Sequence, residues 1–147
     1  EIYEVREALE VLAAQQAIRN INNQQIKKLS EILNSHKKLI QKGEVKSRLL
    51  EEADFHKTIA LSSENQYLYE IINNIFDKIA VFQGIDILTS KRVKAAYQQH
   101  REIFNLLKEK KAQMLEKKLR RHISEAKRDA IERLKKETGF LYLGYHA

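Results

Sequence analysis

Hydrophobic positions recur three and four residues apart along almost the whole chain, the spacing of one face of an α-helix. Ile2, Val5, Leu9, Leu12 and Ala13 form one stripe, widened by Val11, Ile18 and Ile21. Asn20, Asn22 and Asn23 then interrupt it as cap and turn residues. Ile26, Leu29, Ile32, Leu33, His36, Leu39 and Ile40 predict a second helix, closed by Lys42-Gly43. A third helix is expected from about Glu44 to Leu61. Ser62-Ser63-Glu64-Asn65 breaks it and offers side chains to cap a fourth, which carries Leu68, Ile71, Ile72, Ile75, Phe76 and Ile79. Gly84 to Ser90 is the least periodic internal stretch. A fifth helix follows with Val93, Ala96, Tyr97, His100, Ile103, Phe104 and Leu107. The sixth turns Leu115, Leu119, His122, Ile123, Ala126, Ala130 and Leu134 inward; the break before it is placed at Lys108-Glu109-Lys110-Lys111, which contains no Gly, Pro or Asx. The pattern predicts an all-α, antiparallel bundle of about six helices over residues 1–136. Composition changes abruptly in the last ten residues, so 137–147 is expected to be an apolar tail packed on the bundle or on a neighbouring subunit.

Composition supports that picture and excludes others. With 147 residues and 43% hydrophobic side chains, the chain suits one domain with a core and is too apolar for intrinsic disorder. It has no proline and four glycines, which removes most of the vocabulary of turns and strands. The absence of cysteine excludes disulfides, thiolate chemistry and Cys-rich zinc modules, and it fits a reducing, cytoplasmic compartment. No apolar run approaches the ~20 residues of a membrane span. The chain opens without an initiator Met or a secretory pattern, inside an amphipathic repeat already under way, so it reads as one domain of a longer protein.

The formal charge of +7 is unevenly placed. Residues 108–136 hold 12 Lys and Arg against 5 Asp and Glu; subtracting these from the totals of 27 and 20 leaves 15 of each sign elsewhere. A basic helix is either an electrostatic footprint for nucleic acid or an anionic membrane, or else a solvated face. This one has no aromatics for base stacking and no basic zipper.

Three of the five histidines lie on the apolar stripe of three different helices. Glu52, His56, Ile59 and Ser63 share one face of the third helix, with the carboxylate one turn before the imidazole. Val93, Ala96, His100, Phe104 and Leu107 do the same on the fifth, and Leu115, Leu119, His122 and Ala126 on the sixth. Glu52, His56, His100 and His122 can therefore meet inside the bundle as an N3O donor set for Zn, Ni, Mn, Fe or Co. On spacing alone, hydrogen-bonded core histidines and metal ligands both stay open. Asp54, two residues before His56, is turned about 200° away on a 3.6-residue helix and is not expected to be a ligand. His36 also lies on a stripe but has no carboxylate one turn before it, and is read as a structural or partly exposed histidine. His146 lies in the tail. No His-Glu-x-x-His, Glu-x-x-His, Gly-rich phosphate loop or Gly-x-Ser-x-Gly elbow is present, and no general base is evident beyond the ligands.

At these residues the sequence resembles the FCD domain, the effector-binding domain of GntR-type bacterial transcriptional regulators named from the FadR C-terminal domain. Val5-Arg6-Glu7-Ala8-Leu9-Glu10 is similar to its opening Arg-x-x-Leu-Glu, Glu52-Ala53-Asp54-Phe55-His56 to Asp-x-x-Phe-His, and Asn65 to the Asn of the Ser-Gly-Asn that follows. His100-Arg101-Glu102-Ile103 resembles His-Arg-x-Ile, and Arg120-Arg121-His122-Ile123 resembles Met-Arg-x-His-Ile/Leu at the usual 22-residue interval between the histidines. The resemblance implies a metal on Glu52, His56, His100 and His122, zinc first among the candidates. It also implies a small carboxylic or sugar-acid effector near Arg6 and Asn65, a homodimer, and operator binding only through a winged helix-turn-helix missing from this chain. Chain 1–147 would then be the effector-binding and dimerisation domain, with no enzymatic activity and no membrane contact, most similar to the compact VanR branch. Arg6 either faces that cavity or forms a surface i,i+4 pair with Glu10. Three departures stand out: Glu52 for Asp, Glu64 for the Gly before Asn65, and Lys111 for an Asp that starts the last helix. A metal-free nucleic-acid-binding bundle using the basic segment, and a helical metalloenzyme, are the alternatives.

Overall fold

The computed structural model describes the backbone of residues 1–44, 48–82 and 90–144, and the side chains of these except 48–51, 81–82, 90–91 and 137–144. They form six helices: α1 Ile2–Asn20, α2 Asn23–Lys42, α3 Arg48–Leu61, α4 Gln66–Phe82, α5 Ser90–Lys108 and α6 Ala112–Gly144. No strand occurs among the described residues, and no helix among them is long and apolar enough to cross a membrane.

Local chemistry marks the ends of α2, α3 and α5 and the start of α4. The side chain of Asn22 accepts from Gln25 N–H while the Gln25 side chain accepts from Asn22 N–H, a reciprocal cap that starts α2. Gly43 closes α2 in the left-handed region, at φ 72, with Glu44 N–H donating to Leu39 C=O. Lys110 does the same for α5 at φ 55, with Lys111 N–H donating to Leu106 C=O. Glu64 ends the turn after α3 at φ 57, a left-handed conformation that favours glycine. Asn65 Oδ1 then accepts from Leu68 N–H and caps α4.

α1 and α6 run antiparallel along one seam, bridged by Gln15–Glu116, Glu7–Arg120 and Glu4–Lys127. Arg121–Glu125, Lys118–Glu102 and Arg92–Asp129 tie α6 internally and to α5. Much of the basic charge of α6 is therefore paired within the bundle. The main core joins Val11, Ala14 and Ile18 of α1 with Leu29 and Leu33 of α2, Phe55 and Ile59 of α3, and Leu107, Leu119 and Ile123 of α5 and α6. A second cluster packs Ala13 and Ala60 against Leu68, Ile72 and Phe76 of α4.

Several expectations change. α3 begins at Arg48; Glu44, placed at its start from the sequence, is not helical, and residues 45–47 lie outside the described set. Residues 84–89 and His146 also lie outside it. α6 continues through Gly144, so 137–144 prolongs the last helix instead of forming a separate tail. Leu134 faces outward. On α1 the face is rotated: Val5 and Leu12 are 51% and 42% exposed, whereas Arg6 and Glu10 are buried. Ile71 of α4 also faces outward.

Candidate metal centre

His56 is held on α3 beside Phe55 and Ile59, both core residues, and its ring is buried. His100 projects from α5 and His122 from α6, and all three imidazoles are almost fully buried. Their Nε2 atoms converge: His56 to His100 is 3.1 Å, His100 to His122 is 3.1 Å, and His122 to His56 is 3.2 Å. A metal about 2.05 Å from each nitrogen separates tetrahedral ligands by about 3.3 Å and cis-octahedral ligands by about 2.9 Å. The observed triangle lies between those limits. Its donors are imidazoles, which suit borderline divalent ions. Burial, then the neighbouring imidazoles and Arg6, push His100 and His122 well below the usual histidine range, so both rings are neutral and able to ligate. His100 Nδ1 is buried with no hydrogen-bond partner among the described residues. The residues present fit a divalent cation.

Aromatic contacts set the ring planes. His100 stacks on Phe55 at 4.5 Å between centroids and on His36 at 5.9 Å; His56 stacks on Phe76 at 5.4 Å. His36 is thus a buried structural partner of His100 and not a partly exposed residue. It does not belong to the three-histidine cluster.

Glu52 stands half-buried on α3, one turn before His56, and is not part of the converging cluster. Asp54 is exposed, as its position on the helix dictates. The carboxylate that meets the histidines is Glu10, on α1: its Oε2 lies 2.6 Å from His56 Nδ1 and its Oε1 accepts from Arg6 Nε at 2.5 Å. Burial opposes the Glu10 charge, but Arg6 and His56 outweigh it and hold the carboxyl well below its ordinary range. Burial also opposes the Arg6 charge; Glu10, with a smaller contribution from Glu52, reverses this and raises its pKa. Arg6 packs over the Phe76 ring at 4.6 Å and brings Nη2 to 3.4 Å from His56 Nε2, at the edge of the triangle. The expected i,i+4 pair with Glu10 exists, buried rather than on the surface.

On the other side, His122 Nδ1 meets Gln99 Oε1 at 2.8 Å, and Gln99 Nε2 donates to Glu125 Oε2. Neither Glu10 nor Gln99 emerges from the sequence as a site residue. Glu10 left a trace, since Arg6 and Glu10 share a helix face within the apolar repeat. Gln99 left none: it adjoins His100 in the chain, yet serves the histidine of another helix.

Comparison with known proteins now places the fold. The FCD domain model matches residues 1–125. The chain belongs to the FCD domain family. An FCD domain is a regulatory module, not an enzyme. Among solved structures this FCD domain is similar to E. coli McbR/YncC, with a TM-score of 0.78 and 18% identity over 90% of this chain and 67% of that one. It is also similar to Streptococcus agalactiae GntR, with a TM-score of 0.74 and 22% identity over 86% of this chain and 56% of the other. The domain therefore spans about half to two thirds of the length of these structures. No curated protein matches it by sequence.

Proposed function

We propose that this FCD domain is the effector-sensing and dimerisation part of a GntR-family transcriptional regulator, cytoplasmic and of the compact VanR-like branch. It holds one divalent ion, zinc first among the candidates, on His56, His100 and His122; Glu52, one turn before His56 and near enough to Arg6 to act on its charge, turns in from outside the triangle as the fourth ligand. The observation that carries the metal reading is the Nε2 triangle, three buried donor atoms at mutual distances of 3.1–3.2 Å. A bound ion supplies concentrated positive charge that attracts an acid effector. Arg6 provides the second anchor: Nη2 reaches the rim of the triangle while Nε stays committed to Glu10. Asn65 contributes only through its amide nitrogen, because its oxygen caps α4. A small carboxylic or sugar acid that contacts both the ion and Arg6 favours one packing of α1 against α3 and α6. It biases the missing DNA-binding domain by no more than its differential affinity for the two packings.

Dimerisation is supported by the exposed apolar side chains Val5 and Leu12 on α1 and Tyr67 and Ile71 on the adjoining α4. Operator DNA is reached through the winged helix-turn-helix of the full-length regulator.

Metal analysis of the purified chain tests the centre. One divalent ion per chain is expected, lost in His100→Ala, reduced in Glu52→Gln and kept in Asp54→Asn. A wild-type chain that takes up no zinc, nickel, manganese or iron on reconstitution overturns the metal reading.

A further inference from the structure

The three Nε2 atoms raise a question of hydrogens. A neutral imidazole carries one N–H, on Nδ1 or Nε2, and its outer partner decides which. Glu10 is paired with Arg6 through Oε1, so it is an ionised acceptor; its Oε2 lies 2.6 Å from His56 Nδ1, too close for two lone pairs, and although the contact falls outside regular hydrogen-bond geometry it calls for a hydrogen on that nitrogen. Arg6 Nη2, which can only donate, faces His56 Nε2 and agrees with a lone pair there.

His122 is decided by a longer relay that ends at the surface. Arg121 Nε donates to Glu125 Oε1 at 2.8 Å, which keeps that carboxylate an acceptor. The Gln99 amide must therefore turn its NH2 to Glu125, leaving its carbonyl for His122 Nδ1, which must carry the hydrogen. With His56 in a neutral form, its Nε2 and that of His122 face each other at 3.2 Å as two lone pairs. His100 has no partner on Nδ1 among the described residues, and a single Nε2–H on it can serve only one of the two. At least two edges of the triangle lack a hydrogen bond, an arrangement that a cation relieves on all sides.

We infer that Glu10 and Gln99 are positioning residues of the metal centre: Glu10, locked by Arg6, and Gln99, oriented by the Arg121–Glu125 pair, hold His56 and His122 as Nδ1–H tautomers with their Nε2 lone pairs aimed at the ion. His100 is the adaptable ligand, moving its hydrogen from Nε2 to Nδ1 when an ion arrives. This rests on the metal reading above for its purpose, but not for its test.

Long-range proton–nitrogen NMR on histidine-labelled, metal-depleted protein reads each tautomer directly. His56 and His122 are expected as Nδ1–H and His100 as Nε2–H. Gln99→Leu removes the acceptor for His122 at a site near the protein edge; it should mix the His122 tautomers and weaken zinc affinity at least tenfold in a chelator competition. The exchanged pair Gln99→Glu with Glu125→Gln keeps an acceptor on His122 and a donor behind it, and should restore affinity to within about threefold of wild type. Glu10→Gln, whose one oxygen cannot serve both Arg6 and His56, should mix the His56 tautomers. Circular dichroism confirms that each variant folds, and the wild-type spectrum tests the inference even where a variant does not. Finding His56 or His122 protonated on Nε2 in the metal-depleted wild type overturns the inference. So does a folded Gln99→Leu with wild-type tautomer and affinity. Failure of the wild type to take up zinc removes the metal reading instead, and leaves the tautomer assignment to stand or fall on its spectrum.

Discussion

Two side chains set the character of the centre from outside it. Arg6 and Glu10 are full charges buried on a face of α1 that otherwise carries small and aliphatic residues. Taking either out of water is costly, and the pair is tolerable because each satisfies the other and Glu10 also meets His56. Removing one partner leaves an uncompensated buried charge. Arg6→Met should therefore destabilise the fold by roughly 3 kcal/mol or more, whereas Arg6→Met with Glu10→Leu should recover most of that loss. Urea denaturation of the two variants checks the order, which reverses if the pair contributes nothing beyond packing. Arg6 was legible in the sequence as a site residue. Its burial was not, since an i,i+4 Arg–Glu pair is ordinary on an exposed helix face.

Among the elements, the junctions carry the most readable physics. α2 ends on Gly43, which supplies φ 72 without a Cβ, and a Cβ built there would meet nothing within 4 Å. The cost of Gly43→Ala is thus purely the left-handed backbone, about 1 kcal/mol. α5 ends with the same hydrogen-bond pattern but places Lys110 at φ 55, so Lys110→Gly should stabilise by a comparable amount. Thermal melts should show the two shifts with opposite signs, each of about 2–4 °C. This asymmetry explains why the end of α2 was visible in the sequence and the break between α5 and α6 was poorly marked. A lysine in the left-handed region gives no compositional signal; only the closing bond from Lys111 N–H to Leu106 C=O defines it.

For the whole molecule, the rotated face of α1 has the larger consequence. Their spacing puts Val5 and Leu12 on the core stripe, yet both are exposed, as are Tyr67 and Ile71 of α4. An apolar repeat on a helix reports what is buried in the assembly as well as what is buried in the monomer. If that surface is the subunit contact, Ile71→Glu should convert a dimer to a monomer at micromolar concentration while leaving helix content and metal stoichiometry unchanged. Light scattering with metal analysis reads both. A wild-type chain that is monomeric at the same concentration removes this assignment of the surface.

By itself the sequence determined the fold class, most helix positions and the three histidines that converge. Each of these follows from a local period: a 3.6-residue repeat places His56, His100 and His122 on inward faces of α3, α5 and α6 wherever the helices pack. It also determined that Asp54 points away, by the same arithmetic. What it could not determine were relations between helices that no period encodes. Whether the carboxylate beside the imidazoles came from Glu52 of the same helix or Glu10 of another, and whether Gln99 served His100 or His122, depended on the rotation of α1 and the register of α5 against α6. Those are set by the summed packing of the core and the seam between α1 and α6, where many small contacts compete and no single residue decides.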